Sequence, residues 1–185
     1  MKHKVELLCL AKERVHWKKK WKRVLFSDEK GFNLDGVDGF QHYFHDIRKE
    51  IISAIRRQMG GGRVMVWAGI GYFERISGPD YIFHQDNASV HTSRLVQSYF
   101  NENNVYILPW PARSLNLNII ENCWTELVHD VYANGKQYQH VQELKNGIVR
   151  EWDTLSQNYI QKLYKSIPNR TIEVIENKVD VPIIK

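Results

Sequence analysis

The sequence predicts an α/β fold with a mixed sheet flanked by helices. Short apolar runs typical of strands come first, and from about residue 92 the chain carries longer runs with apolar side chains at three-to-four spacing. The order of a strand meander, a strand, a helix, a strand and then helices favours an α/β sandwich. With 185 residues, 43% of them hydrophobic and 25% charged, the chain is long enough to bury a substantial core and is not disordered in composition.

The first half is predicted to contain one helix and several strands. Residues 5–21 have a rough apolar stripe, which predicts a helix that packs outside the core. Strand-like runs follow at 23–27, at 31–39 with Asp/Gly turn residues, at 41–44, at 63–70 after a triple glycine, and at 81–85. We therefore divide the chain into an N-terminal helix and linker, residues 1–22, and a folded domain, residues 23–185.

The second half is predicted to be mostly helical. Thr92 is placed to cap a helix, and a last strand at 105–108 is ended by Pro109. Three amphipathic helices are predicted at roughly 119–133, 139–153 and 156–178. Pro168 is expected to kink or break the last of them.

Charge and cysteine content narrow the class of protein. The net charge of +5 and the basic block at residues 18–23 favour a polyanionic partner, although a solvated entry segment explains the block equally well. Cys9 and Cys123 are too few for a disulfide framework or a zinc site. No run is long and apolar enough to span a membrane, and the N-terminus has no signal-peptide cleavage site. We expect an intracellular protein with no membrane partner.

Three carboxylates at the ends of predicted elements indicate a metal site. Asp28 and Asp86 each end a strand-like run, and Glu121 opens an amphipathic helix, with 34 residues between it and Asp86. Carboxylate oxygens are the ligands that Mg²⁺ and Mn²⁺ prefer, and two such ions can activate an attacking oxygen and stabilise a leaving one. If the two strands that carry Asp28 and Asp86 are parallel neighbours, these acids lie side by side. Each acid taken alone is better explained as a turn residue or helix cap, and it is the three together that indicate a site.

The sequence motifs around these acids resemble those of the mariner-type DDE transposases, which belong to the Tc/mariner superfamily. Four segments carry the resemblance: Phe26-Ser27-Asp28-Glu29-Lys30, residues 60–67, Gln85-Asp86-Asn87-Ala88-Ser89-Val90-His91, and residues 108–124 with Ile120-Glu121-Asn122. The 34-residue gap between the second and third acids is the one found in the Asp-Asp-Glu branch of that family.

The resemblance implies a fold, an activity and partners. The fold would be ribonuclease-H-like, as in retroviral integrases. Asp28, Asp86 and Glu121 would be catalytic and would hold two Mg²⁺ or Mn²⁺ ions for DNA cleavage and strand transfer in transposition and integration. The partners would be transposon ends and target DNA, the protein would work as a homodimer, and its location would be the nucleus.

Six further residues are candidates for DNA binding. Lys30 and Arg113 lie beside the first and third acids, Asn87 and His91 follow the second, and Lys20 and Lys22 belong to the basic block. Each also has a structural explanation: a solvated cation for the Lys and Arg residues, a turn cap for Asn87, and a helix-start residue for His91.

The sequence departs from the family at three places. Leu115 and Ile119 stand where the family's third motif, S-P-D-L-N-P-I-E-N, has prolines, and Asn116 replaces its Asp. No paired helix-turn-helix region precedes residue 24. The connection from Gly71 to Asp80 has ten residues, too few for the helix that normally joins the third and fourth strands. We therefore expect one face of the sheet to lack a covering helix.

Three functions remain open at this stage. The first is an active transposase catalytic domain, which the three acids favour. The second is a degenerate, non-catalytic transposase-derived DNA-binding protein, which the shortened connection and altered third motif favour. The third is a cellular metal-dependent nuclease of the same fold. The transposase-like motifs around each acid argue against this third function.

Overall fold

The computed structural model describes most of the chain, in segments that include all three predicted acids. The described residues are 2–36, 62–73, 81–86, 88, 91, 93–111 and 114–176. The chain divides into two compact units. The first comprises Met1–Glu29, Trp67–Thr125 and Leu155–Lys185, and the second comprises Lys30–Val66 and Glu126–Thr154.

Five α-helices and four strands are described, with three short 3₁₀ helices between them. The α-helices are α1 (Lys2–Arg14), α2 (Arg94–Glu102), α3 (Ile120–Val131), α4 (Val141–Thr154) and α5 (Gln157–Glu176). The strands are β1 (Val24–Asn33), β2 (Arg63–Ile70), β3 (Ile82–His84) and β4 (Tyr106–Ile107). The 3₁₀ helices are Val15–Arg23, Leu115–Leu117 and Ala133–Gly135. No helix in the described ranges combines the length and apolar character needed to cross a bilayer.

The strands form one sheet in the order β2-β1-β3-β4. β1 and β3 run parallel, with Phe26 opposite His84, and β3 and β4 run parallel, with Ile82 opposite Tyr106. β1 and β3 carry the first two acids, and their parallel pairing is the condition under which we expect those acids to lie side by side. Parallel neighbours bring their carboxyl ends to the same edge of the sheet.

In the first unit, α5 packs against the sheet and against α1. The hydroxyl of Tyr164 lies 2.6 Å from the carbonyl oxygen of Val24 and 2.9 Å from that of Ile70, so one buried side chain ties β1 to β2. At the far end of α5, Val174 joins an apolar cluster with three buried residues of α1 and one of the third-motif loop: Leu7, Leu10, Ala11 and Leu117. Burying side chains of this size stabilises the fold by about 1.5–3 kcal/mol each for the larger ones.

In the second unit, two tyrosines hold the end of β1. The hydroxyl of Tyr132 donates to the carbonyl of Asn33 at 2.7 Å and accepts from its N–H at 3.0 Å. The backbone N–H of Tyr138 donates to Leu34, and its hydroxyl donates to Val131 at 2.8 Å. A Cβ atom at position 147 would lie 2.6 Å from the Tyr138 hydroxyl, which explains a glycine in the middle of α4.

Several predicted boundaries were wrong. β1 is one strand through Asn33, whereas the Asp/Gly turn residues predicted two. The first α-helix ends at Arg14 and continues as a 3₁₀ segment, in which Lys18 has φ 30°. α5 is not broken at Pro168, because buried side chains on both sides of the proline, including Ile167 and Thr171, hold the helix in place.

Some predictions fall outside the described residues. The strand predicted at 41–44, the Thr92 cap and most of the short connection before Asp80 belong to this group. Beside that connection, one face of β2 is exposed, as expected if no helix covers it. Met65 and Trp67, on one face of β2, are 60% and 55% exposed, while Val64 and Ile70 on the other face are buried.

Candidate active site

The register of β1 and β3 brings the first two acids to one edge of the sheet. Asp28 follows Phe26 by two residues and Asp86 follows His84 by two, and Phe26 and His84 are paired across the strands. The hydroxyl of Ser27 donates to the carbonyl of His84 at 2.8 Å, which fixes the two strand ends next to each other. Asp28 and Asp86 therefore leave the sheet at the same level.

Glu121 reaches this edge from the first turn of α3. Its side chain and that of Asp28 are hydrogen-bonded. The two carboxyl groups are therefore direct neighbours, and two negative charges at this separation would repel each other. The positive end of the α3 dipole lies at Glu121 and favours negative charge there.

The pKa of Asp28 is raised above its usual value. Burial is the main cause, and the negative charge of Asp86 acts in the same direction. Hydrogen bonds from the backbone of Glu29 and from the side chains of Glu121 and Trp124 act in the opposite direction. The raised pKa therefore comes mainly from burial, and a bound cation would offset both the burial and the nearby negative charge of Asp86.

A second group of ligand atoms lies on the Asp86 side of the site. Nε2 of His91 is 2.9 Å from Oε1 of Glu29 and 3.6 Å from Oδ1 of Asp86. One ligand atom from each of these three residues lies within 4.8 Å of the others, which is compact enough to coordinate one ion. The sequence analysis missed Glu29 as a site residue, although an acid directly after Asp28 was a visible signal.

Short-range hydrogen bonds hold His91 beside Asp86. The buried side chain of Gln85 donates to the carbonyl of His91 at 3.3 Å, and the N–H of His91 donates to the carbonyl of Ala88 at 3.0 Å. The N–H of Ala88 donates to Oδ1 of Asp86 at 3.1 Å, so Asp86 also caps its own turn. The turn explanation of Asp86 and its place in the acidic site are thus compatible.

The donor set fits a divalent cation. Asp28, Asp86 and Glu121 offer only carboxylate oxygens, which suit Mg²⁺ and Mn²⁺, and they come from the middle of β1, the residues just after β3 and the first turn of α3. Asp28 is partly desolvated and faces other acids, so an excess of negative charge is concentrated at this site. A cation would be held by Asp28, Asp86 and Glu121, with Glu29 and His91 next to Asp86.

The residues predicted to contact DNA have varied surroundings. Nζ of Lys20 lies 4.3 Å from the ring centre of Trp17, and Nζ of Lys22 lies 4.2 Å from that of Tyr72, so both cations rest on aromatic faces. The ring of His91 faces carboxylates, as described above. Lys30 is a half-buried residue of β1 in the second unit. Asn87 and Arg113 lie outside the described residues.

Comparison with known proteins places this arrangement in a family. Residues 73–145 match the DDE superfamily endonucleases, and this span contains Asp86 and Glu121. The Tc3 transposase of Caenorhabditis elegans is 38% identical over 205 aligned positions, which take in 95% of this chain and 62% of Tc3. The chain belongs to the Tc1/mariner family of DDE transposases. The Tc1 transposase of the same species is 28% identical over 212 positions, which cover 76% of Tc1.

Solved structures of the Mos1 mariner transposase have the same fold. The Mos1 paired-end complex with Mn matches with a TM-score of 0.75 at 14% identity, covering 98% of this chain and 64% of that one. The Mos1 catalytic domain with Raltegravir and Mn matches with a TM-score of 0.65, and there 92% of the Mos1 chain is covered. The predicted ribonuclease-H-like fold, a mixed sheet flanked by helices, is confirmed, and this transposase chain corresponds to the catalytic domain.

The chain is shorter than these relatives in two ways. It spans 62% of Tc3 and 64% of the Mos1 chain in the paired-end complex. It is also shorter inside the aligned region: 95% of 185 residues is about 176, so about 29 of the 205 positions aligned with Tc3 have no residue in this chain. This agrees with the internal shortening predicted from the ten-residue connection before Asp86.

Proposed function

We propose that this chain cleaves DNA and transfers the cut strand, with Asp28, Asp86 and Glu121 as its catalytic residues. The convergence of three acids from β1, the end of β3 and the start of α3 carries the proposal: the β1–β3 register sets Asp28 and Asp86 side by side, and the side chain of Glu121 is hydrogen-bonded to that of Asp28. Family membership makes phosphodiester chemistry the relevant reaction class.

The cofactor we propose is a pair of Mg²⁺ or Mn²⁺ ions. Two divalent ions at such a site activate an attacking oxygen and stabilise the leaving oxygen of a phosphodiester. The chain's contribution is positioning. β1 and β3 fix two carboxylates at one level, the turn at Asp86–His91 limits the movement of Asp86, and α3 brings the third carboxylate to them.

The substrate we propose is transposon-end and target DNA. The basic 3₁₀ segment Val15–Arg23 leads directly into β1, and Lys20 and Lys22 hold their charged ends over aromatic rings at its surface. The Mos1 relatives of this fold include a paired-end complex with the left transposon end and a strand transfer complex. By the same analogy we propose a homodimer that acts in the nucleus, with Lys30, Asn87, His91 and Arg113 as further DNA contacts.

A plasmid nicking assay with Mn²⁺ tests the catalytic proposal. The full chain is expected to convert supercoiled DNA to the nicked form, and Asp28→Asn, Asp86→Asn and Glu121→Gln are each expected to abolish this conversion. Asp153→Asn, an exposed acid of α4, is the matched control and should nick as the unmodified chain does. Equal nicking by the unmodified chain and Asp86→Asn, or none by either, would refute the catalytic proposal.

A second function is favoured by a specific observation. The chain lacks about 29 positions that Tc3 has, and Met65 and Trp67 are exposed on β2, as expected of a shortened copy. Such a chain would bind DNA without cutting it. DNA binding that is lost in Lys20→Ala/Lys22→Ala, combined with no nicking under any metal, would establish this alternative.

A further inference from the structure

An arginine of the last helix holds the segment that carries Glu121. Nη1 of Arg170 donates to the backbone carbonyl of Asn116 at 3.1 Å and to Oδ1 of Asn122 at 3.0 Å. Nε of the same guanidinium donates to the hydroxyl of Ser166, one turn earlier on α5, at 2.9 Å. One half-buried side chain therefore connects α5 to the loop before α3 and to the first turn of α3.

Asn122 is held from two directions by α5. Arg170 binds its side chain, and the hydroxyl of Tyr159 donates to its backbone carbonyl at 3.3 Å. Glu121 is the residue directly before Asn122. A shift of the Glu121 backbone would have to break both contacts, so α5 limits where this carboxylate can go.

Burial and backbone turns hold the loop, and no proline stiffens it. Leu117, Ile119 and Ile120 are fully buried, and the N–H groups of Leu117 and Asn118 donate to carbonyls three residues earlier. From Leu115 to Ile120 the sequence contains no proline, and a loop without proline has more conformations available in the unfolded state. Arg170 adds a restraint from α5 on the backbone of Asn116 and on the side chain of Asn122. Its planar, permanently charged guanidinium suits two simultaneous acceptors better than a lysine would.

We propose that Arg170 is a positioning residue for Glu121. It does not touch the proposed reacting atoms. Its role is to keep the start of α3 where Glu121 can face Asp28. This inference rests on the proposed function only in taking Glu121 as a metal ligand. Groups that orient metal ligands without touching the metal typically change metal affinity 10- to 100-fold when they are removed.

Mn²⁺ binding to the full chain tests the inference without requiring DNA cleavage. Free Mn²⁺ is measured by electron paramagnetic resonance in titrations of the unmodified chain, Glu121→Gln, Arg170→Ala, Arg170→Lys and Asn122→Ala. We expect Arg170→Ala and Asn122→Ala each to weaken Mn²⁺ binding by roughly 10-fold or more. Arg170→Lys keeps the charge but not the two-acceptor geometry, and should lie between Arg170→Ala and the unmodified chain.

Two comparisons separate positioning from general destabilisation. Lys165→Ala removes a cation from an exposed position of the same helix and should bind Mn²⁺ normally. The double variant Arg170→Ala/Asn122→Ala should bind no more weakly than the weaker-binding single variant, because both single variants break the same Arg170–Asn122 contact. Circular dichroism melting identifies any variant that has lost its fold, and Asn122→Ala tests the same contact if Arg170→Ala unfolds.

The outcomes that overturn the inference are distinct from those that overturn the proposed function. If Glu121→Gln weakens Mn²⁺ binding while folded Arg170→Ala and Asn122→Ala do not, the positioning role is wrong and the metal site stands. If Lys165→Ala weakens binding as much as Arg170→Ala, the effect is not positional and the inference is also wrong. If the unmodified chain binds no Mn²⁺, both the metal site and the positioning role are refuted.

Discussion

The two sides of the acidic site are held in different ways. Asp28 and Glu121 are partly buried and are fixed by elements distant in sequence, β1 on one side and α3 with its contacts to α5 on the other. Asp86 and His91 are held by hydrogen bonds that span at most six residues and by one partly exposed contact from His91 to Glu29, and the Asp86 side chain is 48% exposed. The first side depends on the whole fold, whereas the second is mainly a local turn. Changes on the first side should therefore reach both stability and chemistry, and changes on the second should stay local.

The largest expected effect lies on the long-range side. Glu121→Gln removes one carboxylate from the proposed metal site, and we expect the nicking rate to fall at least about 100-fold at saturating Mn²⁺, the scale of losing one transition-state contact. On the local side, His91→Gln should change the rate by less than about 10-fold. Nicking rates of the two variants, measured side by side in the plasmid assay, check this contrast. A fall in the nicking rate of His91→Gln as large as that of Glu121→Gln would contradict it.

The next effect is on the stability of the sheet that carries Asp28. Tyr164→Phe takes away the hydroxyl shared by the carbonyls of Val24 and Ile70, and leaves buried acceptors without their donor. We expect the free energy of unfolding to fall by about 1–3 kcal/mol. Urea denaturation measures it, with Tyr99→Phe, on an exposed tyrosine of α2, as the control that should change little. A loss confined to Tyr99→Phe would contradict the prediction.

A pH effect should appear at the end of β3. His84 is buried between Phe26 and Trp110, with ring centres 5.0 Å and 4.4 Å away, and burial lowers its pKa to about 3. Below pH 6.5 the unfolded chain takes up a proton that folded His84 refuses, so stability is full above pH 6.5 and falls as the pH drops toward 3. At pH 5 the loss is on the order of 2 kcal/mol.

The variant His84→Leu isolates that contribution. It should flatten the dependence of the unfolding free energy between pH 7 and pH 5 by that amount, since a leucine does not titrate. Parallel curves for the two proteins would show that His84 is protonated in the folded state, and that the end of β3 is more open than its burial indicates.

The smallest effect is expected from the Glu29–His91 pair. Both side chains are partly exposed, at 31% and 23%, and exposed ion pairs contribute about 0–1 kcal/mol. Glu29→Gln should therefore change the unfolding free energy by less than about 1 kcal/mol, less than Tyr164→Phe does. Thermal melts at low and high salt measure it. A larger, salt-sensitive loss would mean that the local side also supports the fold.

The three acids could be predicted because their signals are local. Asp28 and Asp86 end strand-like runs and Glu121 opens a helix, and the parallel pairing that sets the two Asp residues side by side is present. What failed depended on tertiary contacts. The runs on either side of Asp28 predicted two strands, but the chain continues as one strand through Asn33, and the Asp/Gly turn follows at Asp35 and Gly36. Pro168 does not break the last helix, because buried side chains on both sides hold it.

The missed positioning residue shows the same limit. Arg170 and Asn122 are 48 positions apart in sequence, and nothing in the pattern around either residue indicates their contact. Glu29 differs, because its position next to Asp28 is visible in the sequence. Local pattern therefore locates the carboxylates, whereas the contacts that hold the Glu121 segment come from packing between residues distant in sequence.

The contacts that α5 makes with other elements follow one another along the helix axis. Its 20 residues extend about 30 Å. From its beginning to its end it meets the carbonyls of Gly71 and Tyr72 through Gln157, the β1–β2 pair through Tyr164, Asn122 through Arg170 and the α1 cluster through Val174. A premature stop codon that moved backward along this helix would detach α1 first, then loosen Glu121, and only afterwards undo the sheet. A chain that ended between Tyr164 and Arg170 would therefore keep the contacts to Val24 and Ile70 and lose the side-chain contact to Asn122.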